Sequence, residues 1–310
     1  MKARFHHLLS LLLLLSVLPS GVAQAQPSSN PPPVRRGRGF AADPRVQNRT
    51  YVFTNTGETL PYALFVSSKV TKDKPAPLIV ALHGLGGTPN TLLRGNALSL
   101  AEEGGYIMVG PMGYNSGGWY GIPAFGGGRG PRRGAPNAPQ ANNQTTRGQF
   151  GRRGGQLPII GGTLETNQAK VRELSEIDTM NVLAMVRKEF NIDEHRVYLL
   201  GHSMGGAGAL YLGVKYSTNW AAVGALAPAA FGLRPSMLES IKTMPVIIAQ
   251  GDADTSVPVA GTRRWADELK QLNMTYEYKE VPGADHGSII SAAMPDIFKF
   301  FAAHPKPQSP

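Results

Sequence analysis

Within the 310 residues, Gly201-His202-Ser203-Met204-Gly205 is the stretch whose residue types and spacing most directly suggest chemistry. It stands between an apolar run, RVYLLGH, and a helix-like run, MGGAGALYLG. A serine flanked at both second neighbours by glycine fits a sharp strand-to-helix turn that lifts the hydroxyl above the strand end. A hydroxyl is a weak nucleophile unless a base takes its proton and an acid orients that base. For a serine on such a turn the partners follow in the order acid, then histidine. Only His286 and His304 follow Ser203. His304 lies in the tail segment HPKPQSP, so His286, in VPGADHGS, is the candidate base. The acid is expected after the run PVIIAQG, where GDADTSVP offers Asp252 and Asp254. Asp254, deeper in the loop, is the first choice; Asp252 could instead cap the turn, and Asp285 adjoins His286 too closely to orient its ring.

A tetrahedral intermediate at Ser203 needs hydrogen-bond donors for its oxyanion. The Met204 N–H, at the helix start, is one candidate. The other is the Leu85 N–H, in the loop His83-Gly84-Leu85-Gly86-Gly87 that follows PLIVALHG; His83 is read as a brace for that loop. Candidate substrate contacts are His202, beside the nucleophile, and Trp119 and Tyr120, in PMGYNSGGWYGIP. These two could stack on an aromatic acyl group or a sugar, or Trp119 could pack under its own loop. No metal-ligand cluster and no phosphate-binding glycine motif is present in the sequence, and no cofactor is expected.

Such residues must be carried by strand ends and helix starts. PLIVALHG, YIMVGP, RVYLLGH, AAVGALAPA and PVIIAQGD are short, continuously apolar runs, as buried parallel strands require. TYEYKEVPG alternates and suits a sheet edge. TYVFTNTGETLPYALFVSS reads as two strands joined at Asn55-Thr56-Gly57. Helical patterns cover Asn90 to Glu103, Ser175 to Phe190, Met204 to Tyr216, Gly261 to Leu272 and Ser288 to Ala303. In the second of these, Ser175 and Asp178 resemble a capping pair. Alternating strands and helices predict an α/β fold, a mostly parallel central sheet with helices on both faces.

ALHGLGG, LLGHSMGG, GDADTSVPV and GADHG together resemble the α/β-hydrolase superfamily over about residues 50–303, the 125–156 stretch excluded. They look like the motifs of phospholipase/carboxylesterases, dienelactone hydrolases and the polyhydroxybutyrate depolymerase and feruloyl esterase-like enzymes. The resemblance implies a serine hydrolase that cleaves small-molecule or polymeric carboxylic esters through an acyl-enzyme. Two rival readings are a peptidase related to prolyl oligopeptidases, which usually carry a large extra N-terminal domain, and a non-catalytic binding protein on the same scaffold.

Composition bounds the setting. Lys2 and Arg4, the apolar run Leu8 to Leu18 and Ala23-Gln24-Ala25 read as a secretory signal over residues 1–25. The apolar run is too short for a stable membrane span, so a secreted protein, periplasmic or extracellular, is expected. There is no cysteine, which excludes disulfides and thiolate metal sites. Residues 26–45 read as a Pro/Arg-rich leader, 46–304 as one domain and 305–310 as a tail. A Gly/Arg/Pro-rich insertion at about 122–165 is expected to be disordered. The net charge of +10 does not predict a nucleic-acid partner. Lys2, Arg4, Arg35, Arg36, Arg38, Arg129, Arg132, Arg133, Arg147, Arg152 and Arg153 account for eleven positive charges, and without them the chain is at about −1. The insertion is read as a passive spacer, or else as a basic flap or tether for an acidic polymer.

Overall fold

The computed structural model describes residues 43–123 and 159–307. Residues 1–42, which include the expected signal and leader, residues 124–158 of the expected insertion and residues 308–310 lie outside the described residues. The strands are β1 (Gln47–Phe53), β2 (Glu58–Val66), β3 (Ala76–Leu82), β4 (Ile107–Pro111), β5 (Ile192–His202), β6 (Ala222–Leu226), β7 (Val246–Gly251) and β8 (Tyr276–Val281). The helices are α1 (Asn96–Gly104), α2 (Gln168–Glu189), α3 (Met204–Lys215), α4 (Val259–Gln271) and α5 (Ile289–Ala303). The eight strands form one sheet in the order β1-β2-β4-β3-β5-β6-β7-β8. β1 and β2 pair antiparallel, as do β2 and β4, and every later pairing is parallel.

Period-two alternation builds the two faces. Ile79 and Ala81 of β3, Tyr198 and Leu200 of β5, and Ile247 and Ala249 of β7 face the side covered by α1 and α5. Leu78, Val80 and Leu82, Val197 and Leu199, and Val246 and Ile248 face α2, α3 and α4. With both faces covered, the central strands must be apolar at every position, which is why they read as continuous runs. The chain leaves β3 for β4 on one side and later returns to β5 on the other. Loops at the carboxyl ends of β3 and β5 therefore open a crevice there, where ligands bind in open parallel sheets.

Two helices differ from the sequence reading. α2 begins seven residues before Ser175, because Asn167 caps it: its Oδ1 accepts from the N–H groups of Ala169 and Lys170 at 3.0 and 3.3 Å. Ser175 and Asp178 are thus buried in mid-helix rather than at a cap. α1 starts at Asn96 rather than Asn90, since Thr88 to Gly95 is taken up by turns in which the Thr88 N–H donates to Thr91 Oγ1.

The insertion is also shorter at its far end than composition suggests. Gly161 bridges to Asn115, Ser116 N–H donates to the Ile160 carbonyl at 2.8 Å, and Glu58 Oε1 accepts from the N–H groups of Thr163 and Leu164. Residues 159–165 belong to the domain because their backbone donors and acceptors are satisfied by it.

Candidate active site

β5 ends at His202, α3 begins at Met204, and Ser203 alone makes the turn at φ 56°, ψ −117°. This is a conformation that non-glycine residues rarely adopt, and it costs about 1–3 kcal/mol. The flanking glycines permit it. A Cβ on Gly201 would stand 1.9 Å from the Gly205 carbonyl oxygen, and one on Gly205 would stand 2.2 Å from the Leu82 carbonyl oxygen. The strained residue is tied to its neighbours, its N–H donating to Leu226 and its carbonyl accepting from Ala207 and Ala229.

Three distant loops meet at the Ser203 hydroxyl. Ser203 Oγ lies 2.9 Å from His286 Nε2, and His286 Nδ1 lies 2.8 Å from Asp254 Oδ2. A carboxylate only accepts, so Nδ1 carries the proton and Nε2 is left to accept from the serine. Asp254 is also held by its own loop. Its Oδ1 accepts from the N–H groups of Ser256 and Val257, at 2.8 and 2.9 Å, and its Oδ2 accepts from Gln250 Nε2 at 3.0 Å. Burial pushes this carboxyl up, but hydrogen bonds from His286, Val257 and Ser256 outweigh it and hold the pKa below the usual aspartate value.

The other acids do different work. Asp252 Oδ1 accepts from the Gly283 N–H, and Asp285 Oδ1 accepts from the N–H groups of Gly287 and Ser288 at the start of α5. His304 bonds the Phe300 carbonyl of its own helix.

The loop after β3 is braced from three sides. His83 places Nδ1 2.8 Å from the Gly84 carbonyl and Nε2 2.8 Å from the Met112 carbonyl. Burial pushes its pKa below the ordinary histidine value, against the pull of those carbonyls. Tyr120 donates its hydroxyl to the His83 carbonyl at 3.1 Å, and the Gly86 N–H donates to the Ser116 carbonyl at 2.8 Å. Between them stands Leu85, its side chain exposed. Met204 is the first residue of α3, so its N–H has no carbonyl one turn back to bind.

Behind that loop, Asp178 on α2 is fully buried and accepts from the Tyr51 hydroxyl and, at 3.0 Å, from the Tyr114 N–H. Burial raises its pKa to about 6, with those bonds only partly opposing. A carboxyl raised above its unfolded value contributes stability that is complete below the unfolded pKa of 3.8 and is lost as pH rises through about 6. The expected result is that wild type loses roughly 2–3 kcal/mol of unfolding free energy relative to Asp178→Asn between pH 3.5 and pH 7.5. Denaturant melts of both proteins across that range measure it, and parallel profiles would refute it.

Ser203, His286 and Asp254 are thus brought together; Met204 follows Ser203 in the chain, and the Leu85 loop approaches at Gly84, where a Cβ would stand 3.2 Å from Ser203 Cβ. Of the three candidate substrate contacts, Tyr120 and His202 are buried and Trp119 is half-buried. Tyr120 is fully buried, its ring 5.8 Å from that of His83, so it is a brace and has no free face for a ligand. Trp119 packs against the α2-side core with the Arg172 guanidinium 5.5 Å from its ring centre. His202 is buried against His286. Sequence reading missed Gln250, whose amide donates to Asp254 and to the Val257 carbonyl, and took Asp178 for a helix cap when its partners Tyr51 and Tyr114 lie far off in sequence. Among the described residues no cluster of three or more His, Asp or Glu could hold a metal, and no helix is long and apolar enough to cross a membrane.

The family model for Phospholipase/Carboxylesterase matches residues 163–305, from just before α2 through α5. No curated protein matches the chain. Among solved structures it is similar to a ferulic acid esterase from Anaeromyces mucronatus, at 20% identity and TM-score 0.59, covering 91% of this chain and 98% of that one. It is also similar to an S-formylglutathione hydrolase from Agrobacterium tumefaciens, at 18% identity and TM-score 0.59, covering 84% and 95%. A thermostable esterase shares 19% identity at TM-score 0.54, with 84% of this chain covered. This chain spans 64% of that esterase's length. Such identities establish the fold, and the family model adds the motifs carried on it. The chain has the fold of these esterases, and its residues 163–305 match the Phospholipase/Carboxylesterase family model.

Proposed function

We propose that the protein is an exported serine hydrolase that cleaves carboxylic esters. The observation that carries this reading is the continuous line of short contacts from Asp254 through His286 to Ser203. His286 Nε2 takes the Ser203 proton as Oγ attacks the ester carbonyl, and Asp254 stabilises the imidazolium that forms. The N–H groups of Leu85 and Met204 receive the oxyanion. The alcohol leaves with the proton from His286, and water then repeats the sequence on the acyl-enzyme. Export rests on the N-terminal signal pattern.

Exposed apolar side chains on loops tied to the site favour esters with a hydrophobic acyl group. Six large hydrophobics are exposed among the described residues, and four of them, Leu85, Ile159, Ile160 and Phe231, stand on loops tied to the site. Leu85 is on the loop after β3, and Ile160 pairs with Ser116, whose carbonyl holds Gly86. Phe231 stands two residues after Ala229, whose N–H donates to the Ser203 carbonyl. Exposed apolar side chains on such loops are candidate contacts for an acyl chain.

Purified protein is expected to be labelled by a fluorophosphonate probe. It is expected to cleave p-nitrophenyl hexanoate with kcat/KM about tenfold above the acetate, as four methylenes find partial burial. A matched anilide series should be cleaved far more slowly. Absence of labelling in folded protein would overturn the hydrolase reading, and a preference for anilides would move it to a peptidase.

A further inference from the structure

The chemistry above leaves one buried histidine at the site unused. His202 Nε2 lies 2.7 Å from the main-chain carbonyl of His286, and the two rings stand 4.7 Å apart. We infer that His202 is a positioning residue, a tether from the nucleophile's strand to the backbone of the base. This rests on the hydrolase reading for Ser203 and His286.

Hydrogen-bond chemistry fixes its form. A carbonyl oxygen only accepts, so Nε2 of His202 carries the proton and Nδ1 keeps its lone pair. Nδ1 faces the start of the loop after β3, since a Cβ on Gly84 would stand 3.2 Å from it. The ring is held neutral, its pKa lowered to about 4 by burial and then by the charge of His286, with Arg94 acting in the same sense and Asp254 opposing. Those three are the charged or titratable groups that act on it, from the loops before α5, before α1 and after β7. Neutrality matters because His286 becomes a cation in each half-reaction. A second cation 4.7 Å away would oppose that step.

The tether supplies what the other contacts on the base do not. The Ser203–His286 bond is surrendered whenever the proton moves, so it cannot hold the distance throughout the cycle. The loop's own ties fall on either side of His286: Ala253 N–H to the Ala284 carbonyl, Asp252 to Gly283, and Asp285 to Gly287 and Ser288. His202 binds the His286 carbonyl itself, and it does so from the residue that precedes Ser203 on a rigid strand end. Nucleophile and base therefore stay in register while the proton is elsewhere. Sub-ångström register of this kind is what positioning contributes to rate.

The test compares His202→Phe, which keeps a flat ring without the donor, with His202→Gln, whose amide nitrogen reaches to about where Nε2 stands. With p-nitrophenyl butyrate, His202→Phe is expected to lower kcat about tenfold with KM within twofold, the loss of one neutral hydrogen bond felt in the transition state. His202→Gln is expected to recover most of that kcat. Melting temperatures read alongside separate this from a folding defect. Unchanged kcat in His202→Phe, a loss confined to KM, or equal impairment in both variants would overturn the tether. The rate at which a fluorophosphonate labels Ser203 keeps the inference distinct from the ester reading. If wild type is labelled but cleaves no ester, slower labelling of His202→Phe alone still supports the tether, and equal labelling of all three proteins refutes it.

Discussion

Ser203→Ala is expected to lower kcat on p-nitrophenyl butyrate by about 10⁶-fold while leaving the fold intact. The size follows from the number of steps that pass through one oxygen. Ser203 Oγ attacks, carries the acyl group and is the leaving atom of the second half-reaction. Without it His286 and Asp254 have nothing to activate, and only the oxyanion donors and substrate binding persist. The fold is expected to survive because the hydroxyl's one described partner is His286 Nε2. The turn itself is held by the main chain, through Leu226, Ala207 and Ala229. Alanine at φ 56° bears the same strain as serine, so the melting temperature should move by only a few degrees. Ester hydrolysis, fluorophosphonate labelling and a thermal melt on one preparation check all three points. A folded variant that still cleaves the ester at even a hundredth of the wild-type rate would remove Ser203 from the nucleophile's place.

The Ser203 turn was legible because its geometry is enforced locally. A turn that carries one residue at positive φ, with backbone packed within about 2 Å of where two side chains would begin, must be written in adjacent residues. The core strands were legible for the same kind of reason, since burial on both faces excludes polar side chains from a short run. The braces were not, because each acts across a gap in sequence that no short pattern spans. Tyr120 supports His83 over 37 residues, Asp178 holds Tyr114 over 64, and His202 holds His286 over 84. An aromatic pair in a glycine-rich loop looks like a ligand platform in sequence. Once Gly208 lets the Tyr120 ring lie against α3, with no room for even a Cβ between them, it is a buried strut. The start of α2 was misplaced by seven residues because Ser175 and Asp178 imitate a cap, when their polar groups in fact serve the Tyr120 and Tyr114 N–H groups.

Spacing left the identity of the acid open, and the His286–Asp254 contact leads to the strongest chemical prediction after Ser203. Asp254→Asn is expected to lower kcat about 10⁴-fold, because four donors converge on this carboxylate and an amide cannot accept all of them. The arrangement that disturbs least keeps the amide oxygen under the Ser256 and Val257 N–H groups and turns the NH₂ toward His286. The imidazole must then offer Nδ1 as an acceptor, which moves its proton to Nε2. A protonated Nε2 cannot take the Ser203 proton, so the base is lost although every atom stays near its place. Asp252→Asn and Asp285→Asn keep an oxygen for the backbone donors they serve, at Gly283 and at Gly287 and Ser288. Each is expected to stay within about threefold of wild-type kcat, with at most about 1 kcal/mol lost in stability for a weakened cap. Steady-state kinetics on the three variants, with melts to exclude unfolding, distinguish the roles. If Asp285→Asn fell as far as Asp254→Asn, the acid would be the residue next to His286 and the geometry would have been misread. If Asp254→Asn stayed within tenfold, the imidazole would not need its orienting partner.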